Sequence, residues 1–431
     1  MPAMISPTSR IPGPESIRIS RLQNGIQLLS FENWNAQSIY MVGILGGGSD
    51  HDPVGKTGLA HFTSNLLSRG TTNIPFQSFH DQLEAAGASL SFSCSGRHAW
   101  FRGKALAEDI ALLFRLASDG LRNPAFEETY IERFRRQLLA GLALRDQDTS
   151  EVASLLFDRH LFPGHPYGLP ADGYPETIKS ITRADILAFQ RTFYSPQDMT
   201  IVISGAVSND QAFELANTYF SDWGTAPQAE VDTPSIPPAP TAIIRKHHFL
   251  EGKSQVDLIL GSYGPFRTSP DYLPAVIGNN ILGQFGLMGR IGKSVRSDAG
   301  LAYFASSSIN AWRDAGVWDV SAGVNPENTQ KAIDLIRSEI AKFIAENVTD
   351  EELDNSKSNL IGRMPMALET NAGIANAILN MHQFDLGFDY YQKYPQSVTA
   401  VTAETIRTAA EKYLHPDRLV ITSAGPGEEI A

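Results

Sequence analysis

Ile181–Gly205 reads ITRADILAFQRTFYSPQDMTIVISG, and 220 positions later Val401–Gly425 reads VTAETIRTAAEKYLHPDRLVITSAG. Set against each other without a gap, Ile181-Thr182 falls on Val401-Thr402 and Ile186 on Ile406. Phe193 then falls on Tyr413, Pro196 on Pro416, Ile201 on Ile421 and Gly205 on Gly425. In each copy a Thr suited to an N-cap opens an amphipathic helix. An aromatic-x-x-Pro turn follows, and a β-rich strand closes the segment, Met199–Ser204 in one copy and Leu419–Ser423 in the other. A gap-free correspondence of this length exceeds chance helix–strand similarity, so the chain is read as a duplication.

Between the copies lies Gly224–Thr241 (GTAPQAEVDTPSIPPAPT), with five prolines and few large apolar residues, which reads as an extended linker. The predicted organisation is therefore a first half at 1–223, a linker at 224–241 and a second half at 242–431. At 431 residues the chain is also too long for a single core. In the first half, strands are predicted at Ser16–Leu22 and Ile26–Phe31, joined through the hairpin signal Asn24-Gly25, and at Ser38–Leu45. Helices follow at Gly58–Ser68 and Phe76–Ala86, strands at Ser89–Ser95 and Ala99–Lys104, then helices at Ala107–Leu121, Glu127–Arg145, Glu151–Leu161 and Arg183–Phe193. The second half is predicted to hold strands near Ala242–His247, Gln255–Leu260, Ala302–Ile309 and Gly316–Gly323. Its helices are placed at Tyr272–Leu282, Leu287–Arg296, Thr329–Ala345, Asp350–Arg363 and Asn371–Phe384. Runs of helices between antiparallel strands predict an α+β class: two homologous halves of mixed or antiparallel sheet with helices packed on one face, not a doubly wound parallel sheet.

A hydrophobic content of 42% and a charged content of 19% are those of a globular chain. The net charge of −12, with no concentrated run of Lys and Arg, argues against nucleic acid or an anionic membrane as partner. The one basic stretch, Arg97–Lys104, alternates like a strand and is read as its solvated face. The single Cys94 excludes an internal disulfide and every multi-Cys metal site. No apolar leader is visible between Met1 and Glu15 and no run reaches the roughly 18 residues of a membrane span. The expectation is a cytoplasmic protein, or a periplasmic one if a leader has been removed ahead of Met1.

Leu59-Ala60-His61-Phe62-Thr63-Ser64-Asn65 begins as a zinc-peptidase helix begins and then departs from it. In H-x-x-E-H the two His residues, one helical turn apart, bind the metal, and the Glu activates water. Here Ser64 stands at the Glu position and Asn65 at the second His. A hydroxyl is no carboxylate base at neutral pH, and an amide is a poor zinc ligand. A lone His on an apolar helix is more often a packing residue than a ligand. The other His residues form no substitute: His160 and His165 straddle a Pro-Gly turn, and the neighbours His247 and His248 point to opposite strand faces. Gly283–Gly289 has three glycines without a phosphate-loop ending. Asp350-Glu351-Glu352 suits the positive end of a helix, where capping suffices. Cys94 lies in a strand pattern with no Cys/His arrangement, and no G-x-S-x-G elbow occurs.

Several short motifs occur in a definite order: Gly47-Gly48-Ser49-Asp50, Gly58-Leu59-Ala60-His61, Gly70-Thr71, Leu83–Ala88, Phe162–Gly168 and Arg296–Tyr303. In that order, over nearly the whole chain, the sequence resembles the M16 (insulinase, pitrilysin-like) metallopeptidases, and its length and duplication resemble their short-chain M16B branch. The resemblance implies the LuxS/MPP-like metallohydrolase fold. It aligns the family's third zinc ligand, a Glu on a later helix, with Gly141, so of four catalytic positions only His61 survives. It implies no catalytic residue and no metal ligand on this chain. Arg296 and Tyr303 match the pair with which the family's C-terminal domain grips substrate, donors suited to a peptide carbonyl or an oxyanion. Gly87–Ser95 alternates as a strand that could pair with an extended peptide, although catalytic relatives usually carry an Asn near Ser91. The implied function is a non-catalytic, substrate-binding subunit of a heterodimeric zinc peptidase acting on peptides. Zinc and H-x-x-E-H would come from a partner chain, and none would be bound by this one. The alternative is a purely architectural subunit of a larger assembly.

Overall fold

In the computed structural model, described residues run over 11–224, 234–284 and 289–427; the first part of the proline-rich stretch and positions 285–288 of the glycine-rich connection lie outside them. In chain order the first half forms β1 (Ile17–Arg21), β2 (Gln27–Glu32), β3 (Ser38–Gly46), α1 (Leu59–Leu66), α2 (Phe76–Ala85), β4 (Ser89–Ser95), β5 (His98–Leu106), α3 (Ile110–Arg122), α4 (Glu128–Arg145), α5 (Thr149–Leu161), α6 (Pro175–Ser180), α7 (Arg183–Phe193), β6 (Thr200–Gly205) and α8 (Asn209–Phe220). The second forms β7 (Ile244–Phe249), β8 (Val256–Tyr263), α9 (Tyr272–Asn279), β9 (Ala302–Ala311), β10 (Gly316–Val324), α10 (Thr329–Ala345), α11 (Asp350–Ala367), α12 (Asn371–Gln383), α13 (Tyr390–Ala400), α14 (Ala403–Tyr413) and β11 (Val420–Gly425). Among the described residues no helix is long and apolar enough to cross a membrane.

The duplication is visible in the strand orders. One sheet runs β1-β2-β6-β3-β5-β4 and the other β7-β11-β8-β10-β9. β6 pairs parallel with β2 and antiparallel with β3; β11 pairs parallel with β7 and antiparallel with β8. The second sheet is therefore the first without its β1. Thr182 and Thr402 both cap their helices, accepting from the backbone N–H of Asp185 and Thr405. Gly205 and Gly425 share φ of 145°, and a Cβ on either would meet a backbone carbonyl oxygen, that of Ser38 at 2.4 Å and that of Gln255 at 2.5 Å. Glycine is required twice at the same place.

Each sheet has one helix-covered apolar face. In the first, Leu28, Ile39, Met41, Phe101 and Ile203 pack with Phe62, Leu113, Phe114, Ile186 and Phe220. In the second, Leu258, Leu260, Trp318 and Ile421 pack with Ile277, Ile336, Phe343 and Ile406. The opposite face of each sheet takes a helix from the other half of the sequence. Ile374, Ala375 and Ile378 of α12 cover Leu29, Val42, Ile44 and Val202. Phe157 and Leu161 of α5 cover Val317 and Val420. Polar contacts fix these helices: Asn371 Nδ2 donates to Ser38 O at 2.8 Å, and Thr422 Oγ1 donates to Ala153 O at 2.9 Å. The compact units accordingly cross the chain-order division at the linker. One comprises Met1–Leu142, Pro170–Thr233 and Met364–Lys393; the other comprises Ala143–Leu169, Pro234–Arg363 and Tyr394–Ala431.

Two helices continue through prolines. α11 extends past Arg363 through Pro365, and α13, where no helix was predicted, contains Pro395. The predicted helix at Leu287–Arg296 begins in the undescribed segment; from Gly292 to Asp298 the chain winds as a wide π-type helix.

Candidate functional site

In the first unit, α1 starts from Gly58, whose φ of 96° needs glycine. Its free amides are held by a carboxylate outside the helix: Asp52 accepts from Gly58 N at 2.6 Å and Ala60 N at 2.7 Å. Burial pushes the Asp52 carboxyl up to about 7, against the pull of those same amides. Leu59, Ala60, Phe62, Thr63, Ser64 and Leu66 are buried, which leaves His61 and Asn65 half-buried one turn apart.

These two side chains satisfy each other and the helix. Asn65 Nδ2 donates to His61 O at 2.8 Å and lies 3.4 Å from His61 Nε2. Burial lowers the His61 pKa, with Asp172 acting the other way, so the ring is held neutral. Ser64 Oγ donates to His61 O at 3.1 Å and its side chain also bonds the Cys94 thiol. Ser64 is fully buried, so the residue at the base position faces the strand beneath rather than the half-exposed stripe of His61 and Asn65. Gly141 sits on an exposed face of α4, where a Cβ would meet nothing within 4 Å. The residues present do not fit a zinc ion: the amide nitrogen of Asn65 is turned to a backbone carbonyl, and Gly141 has no donor atom. Among the described residues no three His, Cys, Asp or Glu side chains are grouped to hold a metal.

Beneath α1 is a cluster that sequence reasoning did not find. Cys94 on β4 is pushed up to about 12, by burial first and then by the charge of Asp52. Tyr194 is buried and raised well above its usual value, by burial first and then by Cys94 and Asp52. The thiol is thus a packed, protonated group and no nucleophile. Its only sequence signal was the alternation of β4, which puts Cys94 on the inward face with Leu90 and Phe92.

In the second unit, Arg296 lies near the end of the wide helical segment and Tyr303 near the start of β9. Gly300 at φ 64° and the bond from Leu301 N to Val295 O, 3.0 Å, close the turn between them. Arg296 is exposed and Tyr303 is 60% exposed. Neither side chain has a hydrogen-bond or ion-pair partner among the described residues. The turn thus presents a guanidinium and a phenol to solvent. Glu352, of the acidic run, accepts from Thr349 N and pairs with Arg290 through two contacts of 2.7 Å.

Residues 31–170 match the family description "Insulinase (Peptidase family M16)", and residues 180–360 match "Peptidase M16 inactive domain". The chain belongs to peptidase family M16. Relatives extend over most of this M16 chain. An uncharacterized zinc protease of Mycobacterium leprae is 24% identical over 91% of this chain and 88% of its own. A probable mitochondrial-processing peptidase subunit beta of Arabidopsis thaliana is 22% identical, with 100% of this chain and 82% of its own covered. Among solved structures, a peptidase M16 inactive domain from Pseudomonas fluorescens superposes at TM-score 0.89 with 25% identity, covering 96% of this chain and 99% of that one. A protease from Helicobacter pylori superposes at 0.88 with 20% identity, covering 96% and 100%. The α+β fold of two related sheets is therefore the M16 fold.

Proposed function

We propose that this M16 chain is the non-catalytic, substrate-binding subunit of a heterodimeric zinc peptidase of the short-chain branch. Zinc, H-x-x-E-H and the Glu base would be supplied by a partner subunit, and extended peptides would be the substrate. The observation that carries this reading is the asymmetry between the two halves. The first half has Ser64, Asn65 and Gly141 where a metal site needs a base and two ligands, and packs them as structural residues. The second half keeps Arg296 and Tyr303 exposed, with no partner among the described residues. Unpaired donors at a surface are what gripping a peptide carbonyl requires. The match to the inactive-domain description and the likeness to a processing-peptidase subunit support it.

The test has two parts. Affinity purification of the tagged chain from its native cell should bring down a stoichiometric chain of similar length bearing intact H-x-x-E-H, with zinc in the complex. In that complex, Arg296→Ala should lower peptide turnover at least ~10-fold, about 1.4 kcal/mol, without dissociating the subunits. Full turnover by a complex lacking both Arg296 and Tyr303 side chains would point instead to the purely architectural subunit.

A further inference from the structure

β4 is the outer strand of its sheet, and its face opposite the main core is unlike the rest of this acidic chain. Ser89, Ser91, Ser93 and Ser95 lie on that face, opposite Lys104, Arg102, Trp100 and His98 of β5. α12 covers the neighbouring β3 and β6 positions, with Tyr40 and Trp100 at its margin. Ser89, Ser91, Ser95 and Lys104 remain exposed, and Ser93 and Arg102 half-buried. Arg102 is held in place: its guanidinium lies 4.6 Å over the Trp100 ring, and Nη1 donates to Ser93 Oγ at 3.1 Å. Neither Arg102 nor Lys104 has a carboxylate partner among the described residues. The Trp100 indole N–H is also buried without an acceptor among the described residues.

The geometry points to a specificity surface for acidic peptides: an extended segment added to the outer edge of β4, with Glu side chains at alternate positions reaching over the serine row to Arg102 and Lys104. This rests on the peptide-binding reading above and adds the class of peptide bound. The lengths agree. An added strand lies two strand spacings, ~10 Å, from β5, and a Glu and an Arg extended toward each other span about that distance. Only serine stands between them, so no intervening side chain blocks the approach. Arg102 and Lys104 are two residues apart, the period at which one face of the added strand repeats. Asp is shorter by a methylene and serves less well. A pre-oriented guanidinium loses little freedom on pairing.

The experiment is fluorescence anisotropy on the intact chain with three labelled peptides of about seven residues, alternating Val with Glu, Gln or Lys. The Glu peptide is expected to bind at least ~10-fold tighter than the Gln peptide at low salt, with the ratio shrinking as the Debye length falls to ~3 Å near 1 M salt. In the Arg102→Gln/Lys104→Gln double variant the Glu-to-Gln ratio should collapse to about one. Arg102→Lys should keep part of it, and retained circular dichroism confirms the fold. Equal affinities for Glu and Gln peptides, or a ratio the double variant leaves untouched, overturn the charge assignment and leave peptide binding standing. If no peptide of any charge binds, both readings fall together.

Discussion

Asp158 on the exchanged helix α5 is the most exacting test of how the second unit is assembled. Burial pushes its carboxyl up to about 7, and the charge of Asp319 on β10 adds to that; Asp319 is itself pushed up to about 6 by burial, offset by the hydroxyl of Ser308 at 2.7 Å. Unfolded, both carboxyls return to near 3.8. Between about pH 4 and pH 7 the folded state therefore binds more protons than the unfolded one. Stability contributed here rises as pH falls through that window and is lost as pH rises through it. Moving one carboxyl from 3.8 to about 7 corresponds to an upper limit of ~4 kcal/mol. Water entering around a half-buried pair reduces this to ~2 kcal/mol. Hydrogen exchange of peptides spanning α5, corrected for intrinsic rates, reads its opening free energy directly. That energy should increase by ~2 kcal/mol from pH 8 to pH 5 in the wild type. Asp158→Asn should remove most of the slope, and Asp158→Asn/Asp319→Asn the remainder. An unchanged slope in the double variant would refute the placement of one carboxyl over the other.

Three further outcomes follow from the packing. Ile378→Ala removes a fully buried side chain of α12 from the face of Leu29, Val42 and Val202, and should lower the unfolding free energy by ~2–5 kcal/mol in urea titration. A loss under ~1 kcal/mol would mean that α12 is a loosely held cover. Cys94, with its thiol near 12, should react with a disulfide reagent at pH 8 at least ~100-fold more slowly in the native chain than in urea. Comparable rates would show that β4 opens readily. Ser64→Glu buries a carboxylate beside Cys94 and should cost more than ~2 kcal/mol in thermal stability, whereas Asn65→His on the half-exposed stripe should change it by less than ~1 kcal/mol. Equal tolerance of both would mean that Ser64 does not face the core.

The duplicated helix–strand segment was legible because its signals are local. A capping Thr, an aromatic before a turn proline and a glycine at a fixed place act within a few residues, and both copies use them alike. The exchange of α5 and α12 was not legible. An apolar stripe says that a helix is buried without saying against which sheet, and each of these helices packs on strands from the far half of the sequence. Pro365 and Pro395 misled for a related reason. A proline forfeits one helical hydrogen bond, but packing on either side continued the helix through it.

At the candidate site the same distinction decides what a sequence discloses. Residue identity is legible in a sequence, so Ser64, Asn65 and Gly141 could be set against the motif that the chain resembles. Where each side chain turns is a matter of packing. Ser64 turns inward to the Cys94 thiol while Asn65 stays on the outer stripe with His61, and only the packing of α1 on β4 separates them. Ser64 is part of the core, and His61 and Asn65 lie half-buried at its margin. A carboxylate at 64 would therefore be buried beside the Cys94 thiol. Arg296 and Tyr303 of the second half, by contrast, stand exposed with no partner among the described residues, and the peptide grip proposed for this chain rests on them.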